Sequence, residues 1–239
     1  MTSLEERWRG VLDNMAEAER KAGREAGSVR LVAVSKFHPA SEIEELFRLG
    51  QRDFGENYIQ EARAKQETLA DPSIRWHAIG PVQTNKAKEV AGRFSLLHTL
   101  DRADLARALL RRLPEGQTQP VLIQVNIGEE EQKSGVRPCD LAALCEELLE
   151  SGLVSDKGPG LALRGLMCLP PVCGEGEAVR PYFVRLRNLR DEMAQRFGLA
   201  LPELSMGMSG DYREAIEEGA TIIRVGTEIF GPRPVRYQN

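Results

Sequence analysis

Short β-rich runs alternate with longer, charged segments of helical periodicity along most of this chain. The runs predict eight strands, at residues 29–35, 53–55, 75–79, 96–100, 120–127, 161–169, 203–208 and 221–225. Helices are predicted at 41–49, 59–69, 84–91, 105–113, 141–149, 179–197 and 212–218, with a last helix that is short or missing. Such alternation requires right-handed crossovers and a parallel sheet. Eight units in 239 residues therefore predict an α/β fold, a (β/α)8 TIM barrel.

A separate amphipathic helix is predicted before the first strand, at about residues 3–26. Its apolar residues recur at helical spacing among charges: Leu4, Trp8, Val11, Leu12, Met15 and Ala16. We expect the barrel at about 29–231 and a single domain over 1–239, because no linker or low-complexity segment interrupts the alternation. A doubly wound sheet is the alternative. It would prefer a glycine-rich G-x-G-x-x-G turn after the first strand, where this chain has Ser35, Lys36, Phe37, His38 and Pro39.

The charge balance favours a small-molecule partner. Lys+Arg 32 against Asp+Glu 36 gives a net charge of -4, which leaves no overall basic field to gather nucleic acid or anionic lipid. The sequence shows neither a membrane span nor a signal peptide, so we expect a cytoplasmic protein. The four cysteines (Cys139, Cys145, Cys168 and Cys173) lack the paired spacing of zinc sites, which predicts reduced thiols and no metal. We expect a monomer.

Lys36 stands at the end of the first predicted strand. The period of two places it on the same face as Val32 and Val34, at the barrel mouth if that face points inward. Partial desolvation disfavours an ammonium ion, so the neutral amine of such a lysine can attack a carbonyl and form a Schiff base. The alternative is a solvated lysine at a strand end, which the strand alone does not exclude.

The ends of the seventh and eighth strands carry residues suited to an anion. Residues 205–211 lead from a strand into a helix, and the glycines within them let backbone amides approach a ligand closely. The loops after these two strands are the usual phosphate site of such barrels. Arg224 shares a strand face with Gly226, and a buried arginine needs an acceptor. The candidate ligand-binding residues here are Met208, Ser209, Arg224, Gly226 and Thr227.

These residues belong to a series of motifs that closely resembles the pyridoxal phosphate homeostasis proteins, the YggS/PROSC family. The motifs lie between about residue 30 and residue 231, nearly the whole chain. They include Val32-Ala33-Val34-Ser35-Lys36, Phe54-Gly55-Glu56-Asn57-Tyr58, Trp76-His77-Ala78-Ile79-Gly80, Lys133-Ser134-Gly135, Leu204-Ser205-Met206-Gly207-Met208-Ser209 and Arg224-Val225-Gly226-Thr227. The chain departs from the commonest pattern at Ala78 and at Phe37-His38, which bear on the shape of the mouth.

The resemblance implies the fold of the N-terminal barrel of bacterial alanine racemase and pyridoxal 5'-phosphate (PLP) held as a Schiff base on Lys36. It also implies that Ser209, Gly226 and Thr227 hold the phosphate, that Arg224 faces the pyridine nitrogen, and that Asn57 and His77 lie near the ring. A cation at the pyridine nitrogen disfavours its protonation and weakens the cofactor as an electron sink, so strong carbanion chemistry is not expected.

The sequence is compatible with three functions. The resemblance favours a non-catalytic carrier that limits free PLP and delivers it to apo PLP-dependent enzymes. A PLP-dependent amino-acid racemase is the main alternative, but it needs acid–base groups on both faces of the substrate. The second group has no evident source; Tyr58 or Tyr212 could be proposed, and the alternative for each is a structural tyrosine with its hydroxyl at the mouth. The third possibility is a Schiff-base aldolase acting on a sugar phosphate, for which Glu56, Asp211 and Glu228 are the nearby acids.

Overall fold

The computed structural model describes residues 2–155, 158–171 and 176–232. Its strands are β1 (Arg30–Val34), β2 (Asp53–Glu56), β3 (Arg75–Ala78), β4 (Leu96–Leu100), β5 (Thr118–Val125), β6 (Gly160–Cys168), β7 (Glu203–Ser205) and β8 (Ile222–Val225). Its helices are α1 (Leu4–Lys21), α2 (Ala40–Leu49), α3 (Ile59–Thr68), α4 (Ala87–Val90), α5 (Ala103–Leu110), α6 (Leu141–Glu150), α7 (Arg180–Phe197), α8 (Tyr212–Glu217) and α9 (Thr227–Phe230).

The strands of these described ranges form one closed barrel in sequence order, and every neighbouring pair is parallel. Closure comes from β1, which pairs with both β2 and β8, for example Val32 with Arg224. The predicted (β/α)8 barrel is therefore confirmed, and the doubly wound alternative is excluded. The carboxyl ends of β7, β8 and β1 lie side by side, so the loops that follow them share one edge of the barrel.

Several element boundaries differ from the predicted ones, among them those around residue 84, at the end of β7 and at the end of α1. The segment 84–91 is a 3-10 turn at Thr84–Lys86 followed by the single turn of α4. Strand β7 ends at Ser205 instead of residue 208, and Gly207 two residues later has a φ of 94°. Helix α1 ends at Lys21, just before Gly23, whose φ is 65°. Positive φ is a conformation that glycine adopts at little cost and that ends regular structure.

Two apolar layers stabilise the barrel, one inside it and one between the strands and the helices. The inner cluster is small and contains Val32, Leu96, Leu122, Met167 and Ile222. The outer cluster is much larger and includes apolar residues from every strand and most helices. Alternate residues of each strand thus face the two layers, as the strand period of two requires.

Helix α1 lies outside the barrel ring and packs near its last units. A capping box closes its first turn, with Ser3 and Glu6 exchanging hydrogen bonds. The Arg7 guanidinium donates to the carbonyl of Ile229 at 2.6 Å, and Trp8 Nε1 donates to Gln51 Oε1 at 3.0 Å. These bonds connect α1 to α9 and to the loop before β2, which fixes the helix against the barrel.

Within the described ranges no helix is both long and apolar enough to cross a membrane, and no group of three metal-ligating side chains was found. Cys139, Cys145 and Cys168 are free thiols. Burial raises the pKa of Cys145 to about 11 and that of Cys168 to about 12, so both thiols stay neutral. Cys173, which the sequence also predicts to be reduced, lies outside the described residues.

Candidate functional site

The candidate site is the carboxyl-terminal mouth of the barrel, where the loops after β1, β7 and β8 meet. The approach is close, because a Cβ built on Gly226 would lie 3.2 Å from the carbonyl oxygen of Val34. The amide of Glu228 donates to Ser209 Oγ at 3.4 Å, which joins the loops after β7 and β8. The structure therefore brings together the loops that carry Lys36, Ser209 and Gly226.

The turn that contains Lys36 is held in one conformation by its surroundings. Phe37 adopts a φ of 69°, unusual for a residue with a side chain, and its amide donates to Glu61 Oε1 at 2.6 Å. The amide of His38 donates to the Ser35 carbonyl at 3.1 Å, and that carbonyl also accepts from Lys65 Nζ at 2.6 Å. Lys36 is half-buried within this turn.

A buried ion pair lies beneath the same turn and is hydrogen-bonded to it. Lys65 Nζ lies 2.6 Å from Glu56 Oε1 and 2.8 Å from Glu61 Oε1, and Ser35 Oγ donates to Glu56 at 2.7 Å. Burial raises the pKa of Glu56, and the ammonium group of Lys65 opposes that rise. Glu56 is 0% exposed, and its Oε1 atom is used by Lys65 and Ser35 beneath the Lys36 turn.

The loop after β7 presents Met208 and Ser209 at the mouth. Asp211 Oδ1 accepts the amide hydrogen of Met208 at 2.5 Å, and burial raises the pKa of Asp211. Met208 is 36% exposed, unusual for a large apolar residue, and Ser209 is half-buried. Glu228, another candidate acid of the aldolase interpretation, accepts a hydrogen bond from the Tyr212 hydroxyl.

The loop after β8 continues this surface. Gly226 precedes the one-turn helix α9, and its carbonyl accepts from the amides of Ile229 and Phe230. Thr227, the first residue of α9, is exposed beside it. Two hydroxyl side chains, Ser209 and Thr227, thus stand on adjacent loops together with a glycine that allows close backbone approach.

Arg224 carries a buried positive charge next to these loops. It is 3% exposed, and its guanidinium donates to Ser205 Oγ at 2.6 Å and to the Cys168 carbonyl at 2.9 Å. Among the described residues no carboxylate lies within ion-pair distance of it. Burial lowers the pKa of Arg224, but an arginine stays charged in proteins. Such a cation requires an acceptor to complete its hydrogen bonds.

Asn57 offers a hydrogen-bond acceptor, whereas Arg224 offers donors. It follows β2 at the mouth, and its buried Oδ1 atom has no hydrogen-bond partner in the part of the chain that the structure describes. Beside it lies a cleft of about 590 Å³ whose lining includes Tyr58, Gln83 and Arg102. An acceptor left unsatisfied in a buried position costs free energy, so Asn57 Oδ1 fits a hydrogen-bond donor of a bound polar ligand.

His77 differs in its surroundings from the other predicted site residues. Its ring is 1% exposed, with Nε2 2.9 Å from Asp53 Oδ1 and Nδ1 2.9 Å from His98 Nε2. Asp53 is the first residue of β2 and stands at the amino end of the barrel, opposite to the mouth. Both ring nitrogens are therefore used inside the barrel, and neither is available to a ligand at the mouth.

From the sequence, no role in the site was assigned to Lys65, Ser205 or His98. The role of Lys65 follows from the packing of α3 over Glu56. Ser205 and His98 are hydrogen-bonded at 2.8 Å across 107 residues of sequence. The one available signal was the polar residue at position 98 within an otherwise apolar strand.

The chain matches a family model, the alanine racemase N-terminal domain, over residues 11–234. A pyridoxal phosphate homeostasis protein of Aquifex aeolicus is 44% identical over 229 residues, which are 95% of this chain and 97% of the relative. A protein of the same name from Pseudomonas aeruginosa is 43% identical over 234 residues, 98% of this chain and 97% of the relative.

Solved structures also match this chain over most of its length. PipY of Synechococcus elongatus with PLP bound is 38% identical, with a TM-score of 0.77 over 91% of this chain and 100% of that one. Alanine racemase of Corynebacterium glutamicum is 16% identical, with a TM-score of 0.65 over 96% of this chain and 62% of that one. At that identity the racemase shares the fold alone.

Proposed function

The chain belongs to the pyridoxal phosphate homeostasis proteins, within the alanine racemase N-terminal domain family, and we propose that it binds PLP reversibly at the barrel mouth through Lys36. The observation that carries this proposal is Arg224, a buried cation beside the mouth with no carboxylate partner among the described residues. The pyridine nitrogen of PLP is an acceptor that suits such a donor.

Lys36 is the proposed attachment residue. When bound, PLP supplies an aldehyde whose carbon bonds to a lysine nitrogen, and the carbonyl oxygen leaves as water. The Lys36 turn is fixed by Glu61 and Lys65, which hold the Phe37 amide and the Ser35 carbonyl. A rigid turn keeps the Lys36 amine near the ligand without an ordering cost at each binding event.

The loops after β7 and β8 are the proposed phosphate site. Ser209 and Thr227 would donate their hydroxyl hydrogens to the phosphate oxygens, and Gly226 would allow the backbone to approach them. Met208 would border the ligand next to Ser209, and Asn57 Oδ1 would accept from the ligand at the other side of the mouth. Hydrogen bonds from several loops allow the ligand to be held mainly through its phosphate.

We further propose that the protein is a carrier and not a catalyst. Arg224 disfavours protonation of the pyridine nitrogen, which reduces the capacity for carbanion chemistry. Tyr212, one candidate for a second catalytic base, is 1% exposed and donates to Glu228, and burial raises its pKa to about 12. Tyr58 is 53% exposed and packs on Phe37 with ring centroids 5.3 Å apart. The buried environment of Tyr212 therefore does not favour proton transfer near neutral pH.

In this account the chain acts in the cytoplasm as one PLP-binding barrel domain over residues 1–239, as a monomer. Its recipients are apo forms of PLP-dependent enzymes. The carrier role is tested by loading the protein with PLP, removing free PLP and adding a PLP-free aminotransferase. We expect aminotransferase activity to recover at a rate set by the release of PLP from the carrier. We expect no turnover of single amino acids by the loaded protein. Racemisation of an amino acid by the loaded protein alone would contradict it.

A further inference from the structure

Five buried side chains form an unbroken line of hydrogen bonds through the barrel interior. Asp53 Oδ1 lies 2.9 Å from His77 Nε2, and His77 Nδ1 lies 2.9 Å from His98 Nε2. His98 Nδ1 lies 2.8 Å from Ser205 Oγ, which accepts from Arg224 Nη1 at 2.6 Å. None of the five is more than 4% exposed.

The line joins the two ends of the barrel. Asp53 begins β2 at the amino end, where it forms an ion pair with Arg75 at 2.6 Å and borders a cleft of about 390 Å³. Arg224 lies at the other end, one residue before the end of β8 and two before Gly226 of the phosphate loop. A contact made on one face of the molecule is thereby connected to the proposed PLP site.

The chemistry of the two end groups fixes the direction of every bond between them. Burial alone would raise the pKa of Asp53, but hydrogen bonds from Arg75 and His77 lower it to about 2, so this carboxylate only accepts. A guanidinium only donates. His77 must therefore donate from Nε2 to Asp53 and accept at Nδ1.

The same reasoning continues to the arginine. Because His77 Nδ1 accepts, His98 donates from Nε2 and keeps a lone pair on Nδ1. Ser205 then gives its hydroxyl hydrogen to His98 and presents a lone pair to Arg224. If Asp53 did not fix the direction of these hydrogen bonds, the Ser205 hydroxyl would have no defined orientation toward the guanidinium.

The electrostatic surroundings keep both imidazoles neutral. Burial lowers the pKa of His77, which faces Asp53, Arg30 and Arg75. Burial also lowers the pKa of His98 well below its usual value, and the titratable or charged groups that face it are His77, Arg224 and Arg30. Neutral rings are what the ordered line requires, since a protonated ring has no lone pair to accept the next hydrogen.

We propose that Asp53, His77, His98 and Ser205 are positioning residues that orient the Arg224 guanidinium toward the pyridine nitrogen of PLP. The inference rests on the proposed function, because it assigns a role in holding PLP to residues that do not touch it. Ser205 and the Cys168 carbonyl occupy two of the guanidinium's nitrogen atoms, which leaves its remaining N–H groups for the ligand.

The first test uses the PLP-free protein. It contains 3 histidines, so ¹⁵N-histidine NMR reports each ring separately. We expect His77 and His98 in the neutral Nε2–H form at neutral pH. Asp53→Asn, nearly identical in shape, is expected to add a second tautomer at His98, which Asp53 does not touch. Asp140→Asn, at a half-buried aspartate paired with Arg137, is the matched control and is expected to change neither ring.

The second test measures PLP retention and the pH midpoint of the bound chromophore's absorbance. Asp53→Asn and Ser205→Ala are expected to weaken retention about tenfold, the value of roughly one charge-assisted hydrogen bond, and to shift that midpoint. Asp53→Glu, which keeps the carboxylate, is expected to restore part of the loss. A merely structural role would lower thermal stability without moving the midpoint.

Three results would decide against the proposal or its premise. If neither Asp53→Asn nor Asp140→Asn changes the His98 tautomer, Asp53 does not set the direction of the hydrogen bonds along the line, and the proposal is wrong. If His98 changes but PLP retention and the midpoint do not, the line has no role toward PLP. If the wild-type protein retains no PLP, the proposed function fails, while the NMR test still decides the hydrogen-bond order. If Asp53→Asn does not fold, the same connection is tested in the wild-type protein by adding PLP and observing the His98 Nδ1 resonance. We expect this resonance to shift, and an unchanged resonance would count against the proposal.

Discussion

Lys65 Nζ lies 2.6 Å from Glu56 Oε1 in the interior of the protein, directly beneath the turn that carries Lys36. The pair is 8% and 0% exposed at its two side chains, so neither charge is solvated. Because Lys65 also holds the Ser35 carbonyl, the ion pair sets the position of the proposed attachment residue from below.

Removal of one member of this pair is expected to be costly. Lys65→Met leaves Glu56 buried without its partner, for which we expect a loss of about 3–5 kcal/mol in the free energy of unfolding. Lys86→Met is the matched control, because Lys86 also pairs with a glutamate, at 3.1 Å, but is 35% exposed. There we expect a change below about 1 kcal/mol. Urea unfolding measures both, and equal losses in the two variants would contradict the assignment.

The phosphate site predicts a difference between PLP and pyridoxal. Ser209→Ala and Thr227→Val each remove one charge-assisted hydrogen bond to phosphate, so PLP affinity is expected to fall about tenfold. Pyridoxal has no phosphate, and its weaker binding is expected to stay unchanged in both variants. Absorbance titrations with the two ligands measure the ratio. A parallel fall for pyridoxal would place these hydroxyls elsewhere on the ligand.

Gly207 is expected to be the least replaceable glycine of the β7 loop. Its φ is 94°, and a Cβ at this position would lie 2.6 Å from Ala215 Cβ and 2.9 Å from Tyr212 Cα. Gly207→Ala is therefore expected to cost about 2–4 kcal/mol, from backbone strain and overpacking together. Gly210→Ala, three residues on, meets nothing within 4 Å and is expected to change stability by less than about 1 kcal/mol. Thermal unfolding of the two variants decides, and similar melting temperatures would argue against this packing.

The buried histidines predict a stability that declines in mild acid. Burial lowers the pKa of His77 and His98 in the folded protein, so the unfolded chain binds protons at higher pH than the folded one. Their contribution is complete above the unfolded pKa of about 6.5 and is lost as the pH falls below it. The pKa of Asp53 in the folded protein is about 2, so this residue contributes a further loss of stability only in stronger acid. Urea unfolding of the wild type and His98→Gln between about pH 7.5 and 5.5 tests this, because the variant should decline less. An identical decline would exclude His98 as a source.

Much of the fold was predictable because it rests on local patterns. The alternation of β-rich and helical segments was enough for the barrel, and strand order then required the loops of Lys36, Ser209 and Gly226 to meet. The shortened end of β7 was not predictable from its apolar residues. Gly207 interrupts the strand there through a positive φ that the spacing of hydrophobic residues does not encode.

The polar interior was harder to predict, since it depends on contacts between distant segments. Glu61 and Lys65 have the i,i+4 spacing of a solvated surface pair, yet α3 packs so that Lys65 is buried over Glu56. The family resemblance implied that His77 lies near the ring of the ligand. The partners at its two nitrogens, Asp53 and His98, come from the neighbouring strands β2 and β4 and became apparent only in the structure.

The most direct test of PLP binding through Lys36 is the absorption spectrum of wild-type protein and of Lys36→Ala after incubation with PLP and removal of the free ligand. The account predicts a retained PLP chromophore in the wild type and none in Lys36→Ala. Lys88→Ala, at an exposed lysine of α4, should behave as the wild type does. Peptide mapping after borohydride reduction should place the label on Lys36. A colourless wild type, or equal retention by Lys36→Ala, would contradict the central claim.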